Sequence, residues 1–366
     1  MNKFLAIAVL LGFAVSAIAA EPGITVEARQ RYPWNGLVDI KFTITGTSGT
    51  KYDTSFTAKD VVGGTNLTMK TLRKSNGVAA NVEKEQLQPG TYNWVWDAAV
   101  DLPKDFKCDR VTVSGVAKEF NPLYMVIDLA GGPNATSYPI SYLDAVPSGG
   151  WDDAHRGNFL VLRKVTKGSN SIAGSMSSDM WVGVFEVTQL QYRNIKGTNP
   201  STHSGDFRPV EHAGYFAFQD LLTRLSNKTG FTFRFPTRSE WRYACRAGST
   251  VRVFSATAVT ARYPSTANDG KGGYNTYHTQ VGSYNPNDWG LYDMLGNVGE
   301  WTSTGMYGDS RHYFAYSLGG YANCTIYTGN PPSSFSGTPT DETEVARGTD
   351  YGGDDAEGLR VFGLVK

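Results

Sequence analysis

Asp293 and Glu300 stand seven residues apart in the stretch GLYDMLGNVGEW, Gly290 to Trp301. Both offer hard anionic oxygens, and Gly296 between them permits a backbone path that turns carbonyls inward. Calcium takes about six to eight oxygens of mixed origin, so a calcium-stabilised loop is one chemistry open to this stretch. A turn whose carboxylates cap backbone amides is the other.

Other reactive residues are sparse. Cys108, Cys245 and Cys324 show no C-x-x-C spacing and the five histidines show no H-x-x-x-H pairing, so no zinc site is expected from them. Cys324 has Asn323 and Thr325 beside it, with no cation to lower its pKa, and reads as a structural thiol. Cys245, inside RYACRAGS, reads as a small core residue. The adjacent pairs Asp152/Asp153 and Asp354/Asp355 point in different directions from loops and do not by themselves make an acid and a base. GGPNATSYP follows neither a P-loop nor a dinucleotide pattern. Lys and Arg number 34 against 34 Asp and Glu, without the basic excess of a nucleic-acid surface.

The elements that must position these residues fall into stages along the 366-residue chain. Residues 1–20, MNKFLAIAVLLGFAVSAIAA, have a lysine, an apolar run and small residues at Ala17, Ala19 and Ala20, the pattern of a secretory signal peptide. The expected mature protein is secreted or periplasmic, with no later run of spanning length and no lipobox cysteine. Residues 21–116 alternate as strands do: GLVDIKFTITGT puts Val38, Ile40, Phe42 and Ile44 on one face, and GTYNWVWDA and DRVTVSGVA repeat the pattern. A β-sandwich of immunoglobulin or fibronectin type is expected there, as a binding or spacer module or a structural appendage. Residues 117–153, rich in Gly, Pro and Ser, read as a packed connector, because Tyr138, Tyr142, Leu143 and Trp151 give it apolar groups to bury.

From residue 154 onward the reading is mixed α+β. A short helix capped by Thr188 is predicted in TQLQYRNI, and Phe218, Leu221, Leu222 and Leu225 fall at helical spacing in the next segment. A further helix opens at Thr237 or Ser239 in FRFPTRSEWRYACRAGS. The stripe of Phe218 to Leu225 is core, and no cofactor box lies in it.

The ordered series EVTQLQY, PVEHAGYFAF, FRFPTRSEWRYACRAGS, GLYDMLGNVGEW and a terminal GLRV resembles the sulfatase-modifying factor family, typified by the formylglycine-generating enzyme. The resemblance runs from about Leu160 to Lys366. It implies an irregular fold related to C-type lectins and bound structural calcium. By that resemblance the calcium ligands are the side chains of Asp293 and Glu300 with the carbonyls of Gly296 and Val298, and a second site uses Asn268 and the carbonyl of Asp269.

The same resemblance exposes departures. Family members carry tryptophan in the active pocket where this chain has Gly299. The oxygen-using enzymes bind copper(I) with a cysteine pair, five residues apart, after a G-G-S run. Here GGYANCTIYTG places Tyr321 at the serine, Cys324 at the first cysteine and Gly329 at the second. One thiol does not supply two-sulfur coordination, so copper is not expected. The H-x-x-x-H-x-E run of related iron oxygenases does not occur either. The expectation is therefore an exported, non-oxidising family member that uses its lectin-like domain for binding or structure, with a glycan or a cell-surface protein as partner. The alternative is an active formylglycine-generating oxidase or related oxygenase with altered ligands, in which Cys324 is catalytic.

Overall fold

The computed structural model describes residues 22–33, 35–74, 86–107, 110–170, 174–249, 278–303, 314–318, 344–348 and 357–365. Cys108, Asn268, Asp269, Tyr321, Cys324, Gly329, Asp354, Asp355 and the expected signal peptide lie outside the described residues. The chain divides into two compact units that meet between Asn121 and Pro122. Strands dominate and helices are few.

The first unit contains β1 (Gly23–Gln30), β2 (Leu37–Thr45), β3 (Tyr52–Asp60), β4 (Asn66–Leu67), β5 (Leu72–Lys74), β6 (Gly90–Asp97), the single-turn helix α1 (Ala98–Asp101) and β7 (Val111–Glu119). One sheet has the order β1-β2-β6-β5 and a second the order β4-β3-β7, all pairs antiparallel. Alternation decides the faces: Ile40, Phe42 and Ile44 of β2 are buried, as are Trp94 and Trp96 of β6. They share one core with Tyr52 and Ala58 of β3, where Phe42 packs edge-on to Trp94 with ring centroids 4.9 Å apart.

The second unit opens with β8 (Tyr124–Asp128), β9 (Ile140–Leu143), the short helix α2 (Asp153–Arg156), β10 (Phe159–Val165), β11 (Gly168–Asn170), β12 (Gly174–Met176) and β13 (Met180–Gly183). Three longer helices and a strand follow: α3 (Gln189–Lys196), α4 (Tyr215–Thr229), β14 (Phe233–Arg234) and α5 (Arg238–Arg246). The described chain closes with β15 (Gly299–Trp301), β16 (Phe314–Leu318), β17 (Glu344–Gly348), β18 (Glu357–Gly358) and β19 (Phe362–Leu364). Six strands form one sheet in the order β14-β19-β13-β10-β8-β9, four form another in the order β17-β16-β15-β18, and β11 pairs with β12.

The span expected as a connector therefore divides: residues 117–121 close the first unit, and the rest belongs to this one, which starts at Pro122 rather than at residue 154. The apolar run Tyr124–Ile127 is buried residue after residue because both faces of β8 are covered, Met125 and Ile127 joining the core that holds α4 and Tyr124 and Val126 joining Trp151, Val184 and Phe185. Its chemistry is that of an interior strand, and the Gly, Pro and Ser around it form the turns.

Helix starts follow local chemistry. Thr188 and Gln191 form a reciprocal capping box at α3, and Thr237 and Glu240 form another at α5. Gly197 and Gly230 end α3 and α4 in the left-handed conformation. Helix α4 buries Phe218, Leu221, Leu222 and Leu225 in a core shared with Leu160, Leu162 and Trp181 of the six-stranded sheet. Helix α5 puts Trp241, Ala244 and Cys245 against Val165, Val182, Met294, Leu295 and Phe362.

Candidate functional site

The carboxylates of the GLYDMLGNVGEW stretch lie inside the protein. Asp293 is 2% exposed, Asn297 0% and Glu300 1%. Their loop turns through three left-handed residues, Asp293 at φ 54°, Gly296 at 82° and Asn297 at 59°, before entering β15. Glycine and asparagine suit that conformation. At Asp293 the backbone is sparsely populated, and tertiary bonds hold it there.

Three other motifs bond this stretch directly, and a fourth bonds one of the three. Glu186, in the EVTQLQY motif, accepts from Asn297 Nδ2 at 2.6 Å and from the Val298 amide at 3.1 Å. Trp241, in the α5 motif, donates its Nε1–H to Glu300 Oε2 at 2.6 Å. Arg360, in the terminal GLRV, places Nε 2.9 and 3.1 Å from the two oxygens of Glu300 and Nη2 2.7 Å from Oε1. The remaining donors of Arg360 go to the carbonyls of Gly183, Val184 and Tyr292 at 2.9, 3.1 and 2.6 Å. Register places it there: β19 pairs with β13 as Met180 with Leu364 and Val182 with Phe362, which carries Arg360 past the end of β13. PVEHAGYFAF contributes through Val210, whose amide bonds the Val187 carbonyl at 2.9 Å.

Three carboxylates thus share this buried region with one guanidinium. Burial, reinforced by the charges of Asp293 and Glu300, pushes Glu186 well above the ordinary carboxylate range. Burial pushes Asp293 up to about 6. Burial also raises Glu300, against the pull of Arg360. For Arg360 burial acts downward, and the pairing with Glu300 overrides it to raise the pKa.

The expected calcium ligands do not all fit that role. A carboxylate has about four acceptor positions, and those of Glu300 are taken by Arg360 and Trp241. Asp293 is different: Oδ2 accepts from the Gly282 amide at 2.6 Å, while buried Oδ1 has no hydrogen-bond partner. An orphaned buried oxygen suits a cation or a proton, and it is the feature here that fits calcium. Gly296 and Val298, whose carbonyls are the other expected ligands, lie between Asp293 and Glu300 in the same turn, with Val298 buried. Cys324 and Gly329, the positions on which the expectation against copper rests, lie outside the described residues. Gly299 is buried in β15 and pairs in parallel with Glu357 of β18.

Sequence reasoning assigned no role to Glu186 or Arg360, although both stood in motifs that it singled out. The available signal was the charge itself: an arginine in the apolar GLRVFGLV and a glutamate in the apolar VGVFEV need partners once those segments are buried.

Comparison with known proteins agrees with this motif set. The sulfatase-modifying factor enzyme 1-like domain matches residues 97–361, well over half of the chain and further towards the N-terminus than the motifs themselves. The chaperone protein LppX of Paenibacillus barcinonensis is 27% identical over 186 residues, covering 38% of this chain and 66% of LppX. The formylglycine-generating enzyme of Mycobacterium tuberculosis is 37% identical over 89 residues, 21% of this chain and 29% of that enzyme. The chain thus spans less than two thirds of the length of either relative. Among solved structures, PvdO from Pseudomonas aeruginosa superposes with a TM-score of 0.46 at 19% identity, over 56% of this chain and 95% of PvdO. The domain match, running through all five motifs whose side chains and backbone close the buried network, makes this protein a member of the sulfatase-modifying factor enzyme 1-like family.

Proposed function

We propose that the protein is an exported, non-oxidising member of its family, whose second unit binds a partner rather than oxidising a thiol. One observation carries this reading: motif residues with charge are consumed in a buried network of the fold, while the chemistry-bearing positions are altered. Glu186, Glu300 and Arg360 are each 0–1% exposed and face one another or the backbone. Gly299, Tyr321 and Gly329 replace the pocket tryptophan, the serine and the second cysteine. Scaffold chemistry is kept and reaction chemistry is not.

Export is carried by the N-terminal pattern of residues 1–20. The first unit is read as an immunoglobulin- or fibronectin-like sandwich acting as spacer or binding module, which its two antiparallel sheets around one aromatic core support. The partner class is a glycan or a cell-surface protein. A second reading comes from the relation to LppX: a chaperone for another exported protein, a role that also needs binding without oxidation.

The test is direct. Incubation with copper, oxygen, reductant and a Cys-x-Pro-x-Arg peptide leaves the cysteine intact by mass spectrometry, and Gly329→Cys does not restore conversion. Loss of the thiol with formation of an aldehyde in the unaltered protein would overturn the reading and make Cys324 catalytic.

A further inference from the structure

No zinc site is expected from histidine spacing, yet the fold gathers His203 and Glu211, of the loop between α3 and α4, with His278 of a distant segment. Gln189, fully buried at the start of α3, builds the loop that carries His203. Its Nε2 donates to the carbonyls of His203 and Pro209 at 2.9 and 3.3 Å, and its Oε1 accepts from Asn199 Nδ2 and the Gly205 amide, both at 3.0 Å. Glu211 is fixed by the His203 amide, 2.8 Å from Oε1, and by Ser201, whose Oγ accepts from the Glu211 amide at 3.2 Å. Arg208, in that same loop, anchors the distant segment by donating to the backbone carbonyl of His278.

The three side chains then converge on one point. His203 Nδ1 lies 3.8 Å and His278 Nε2 3.6 Å from the same oxygen, Glu211 Oε1, and all three donor atoms fall within 4.8 Å of one another. Both separations are too long for a hydrogen bond. His278 is completely buried, and neither of its ring nitrogens has a hydrogen-bond partner. Polar groups buried without a partner are costly to leave unmatched. A tetrahedral ion with bonds of about 2.1 Å sets its ligands about 3.4 Å apart. The two pairs that share Glu211 Oε1 need to close by only a few tenths of an ångström, and the two imidazoles, within 4.8 Å of each other, by up to about 1.4 Å.

We propose that His203, Glu211 and His278 form a binding site for a divalent transition metal of the zinc class. Two imidazoles and a carboxylate match that class, whereas calcium and magnesium select oxygen ligands. The His203 side chain is 21% exposed and the other two are closed to solvent, so the fourth position opens on the His203 side. Bound metal ties the loop after α3 to the residue entering the 278–303 segment. The inference is independent of whether the protein oxidises thiols.

The full mature chain, stripped with chelator and re-equilibrated with zinc in excess calcium, retains about one zinc per chain after gel filtration, read by mass spectrometry of the metal. His203→Gln and His278→Gln lose it, and His155→Gln, a histidine bonded to Asp152 outside the cluster, keeps it. Absence of retained zinc, or equal retention by His278→Gln, overturns the proposal. Should a variant fail to fold, zinc K-edge absorption of the unaltered protein decides: two imidazole nitrogens are expected, and a sulfur-dominated or oxygen-only shell refutes the site.

Discussion

Arg360→Met is the most searching perturbation of the buried network. It removes the one cation that the described residues place beside Glu300, while keeping an apolar chain of similar length. Among the described residues Glu300, 1% exposed, then keeps Trp241 alone as a donor. Removing one partner of a buried ion pair costs about 3–5 kcal/mol. The Val184 carbonyl retains the Tyr292 amide at 2.9 Å, so its own loss is small. A loss of about 4 kcal/mol is expected at neutral pH, close to a thousandfold in the folding constant. That is a large share of the roughly 5–15 kcal/mol that holds a domain together.

The sign of the pH dependence separates this account from a simple packing defect. Glu300 already titrates above its ordinary value of 4.5, and loss of the Arg360 charge raises it further. A carboxyl with a raised folded pKa favours the folded state below its unfolded pKa, and that contribution disappears as pH rises through the folded pKa. The deficit of Arg360→Met is therefore largest at pH 7 and shrinks towards pH 5. Glu300→Gln strands a guanidinium that cannot shed its proton, so its deficit does not shrink in that way. The double variant loses less than the sum of the two, with coupling of up to about 3 kcal/mol. Urea titrations of the four proteins, followed by tryptophan fluorescence and by circular dichroism, measure all of this. A deficit below about 1 kcal/mol at pH 7, or strict additivity, refutes the ion-pair argument.

Glu240 closes the α5 capping box and holds Arg234 through two bonds of 2.7 Å. Burial acts to raise its carboxyl, but Arg234 and the Thr237 amide win and hold it below the ordinary 4.5, so the stability it confers is present above that pH and lost on acidification. Glu240→Gln is expected to lose about 1–3 kcal/mol at pH 7 and to flatten the acid limb of the stability curve, and an unchanged acid limb refutes this. If calcium occupies the open oxygen of Asp293, added calcium raises the melting temperature of the second unit, chelator reverses it and Asp293→Asn removes the response; a melting curve indifferent to calcium disproves it. The first unit alone, residues 22–121, is expected to melt cooperatively with a β-type circular dichroism spectrum, and an unfolded fragment counts against an independent module.

What the sequence disclosed and what it withheld divide along the range of the interactions. The caps of α3 and α5 were legible because Thr188 with Gln191 and Thr237 with Glu240 are partners three residues apart, and the core stripe of α4 because helical periodicity is equally local. Alternation likewise marked Ile40, Phe42 and Ile44 as one buried face. It could not say which face meets which, and there the reading failed. Glu186 reaches Asn297 and Glu300 reaches Arg360 only because strand register, such as that of β13 with β19, carries distant segments side by side. The span 117–153 misled for a different reason: its turn residues outnumber the short apolar run of β8, and composition averages away a strand of five residues. Histidine spacing could not show the cluster of His203, Glu211 and His278 either, since such a grouping is legible in sequence only when one local element presents it. His203 and His278 are brought to Glu211 by separate backbone anchors, Gln189 and Arg208. The motifs that identify the family are therefore best understood as joints. A charge inside an apolar run, such as Arg360 or Glu186, marks a position that must find a partner from elsewhere in the chain, and that need makes one assembly of these segments more stable than its alternatives.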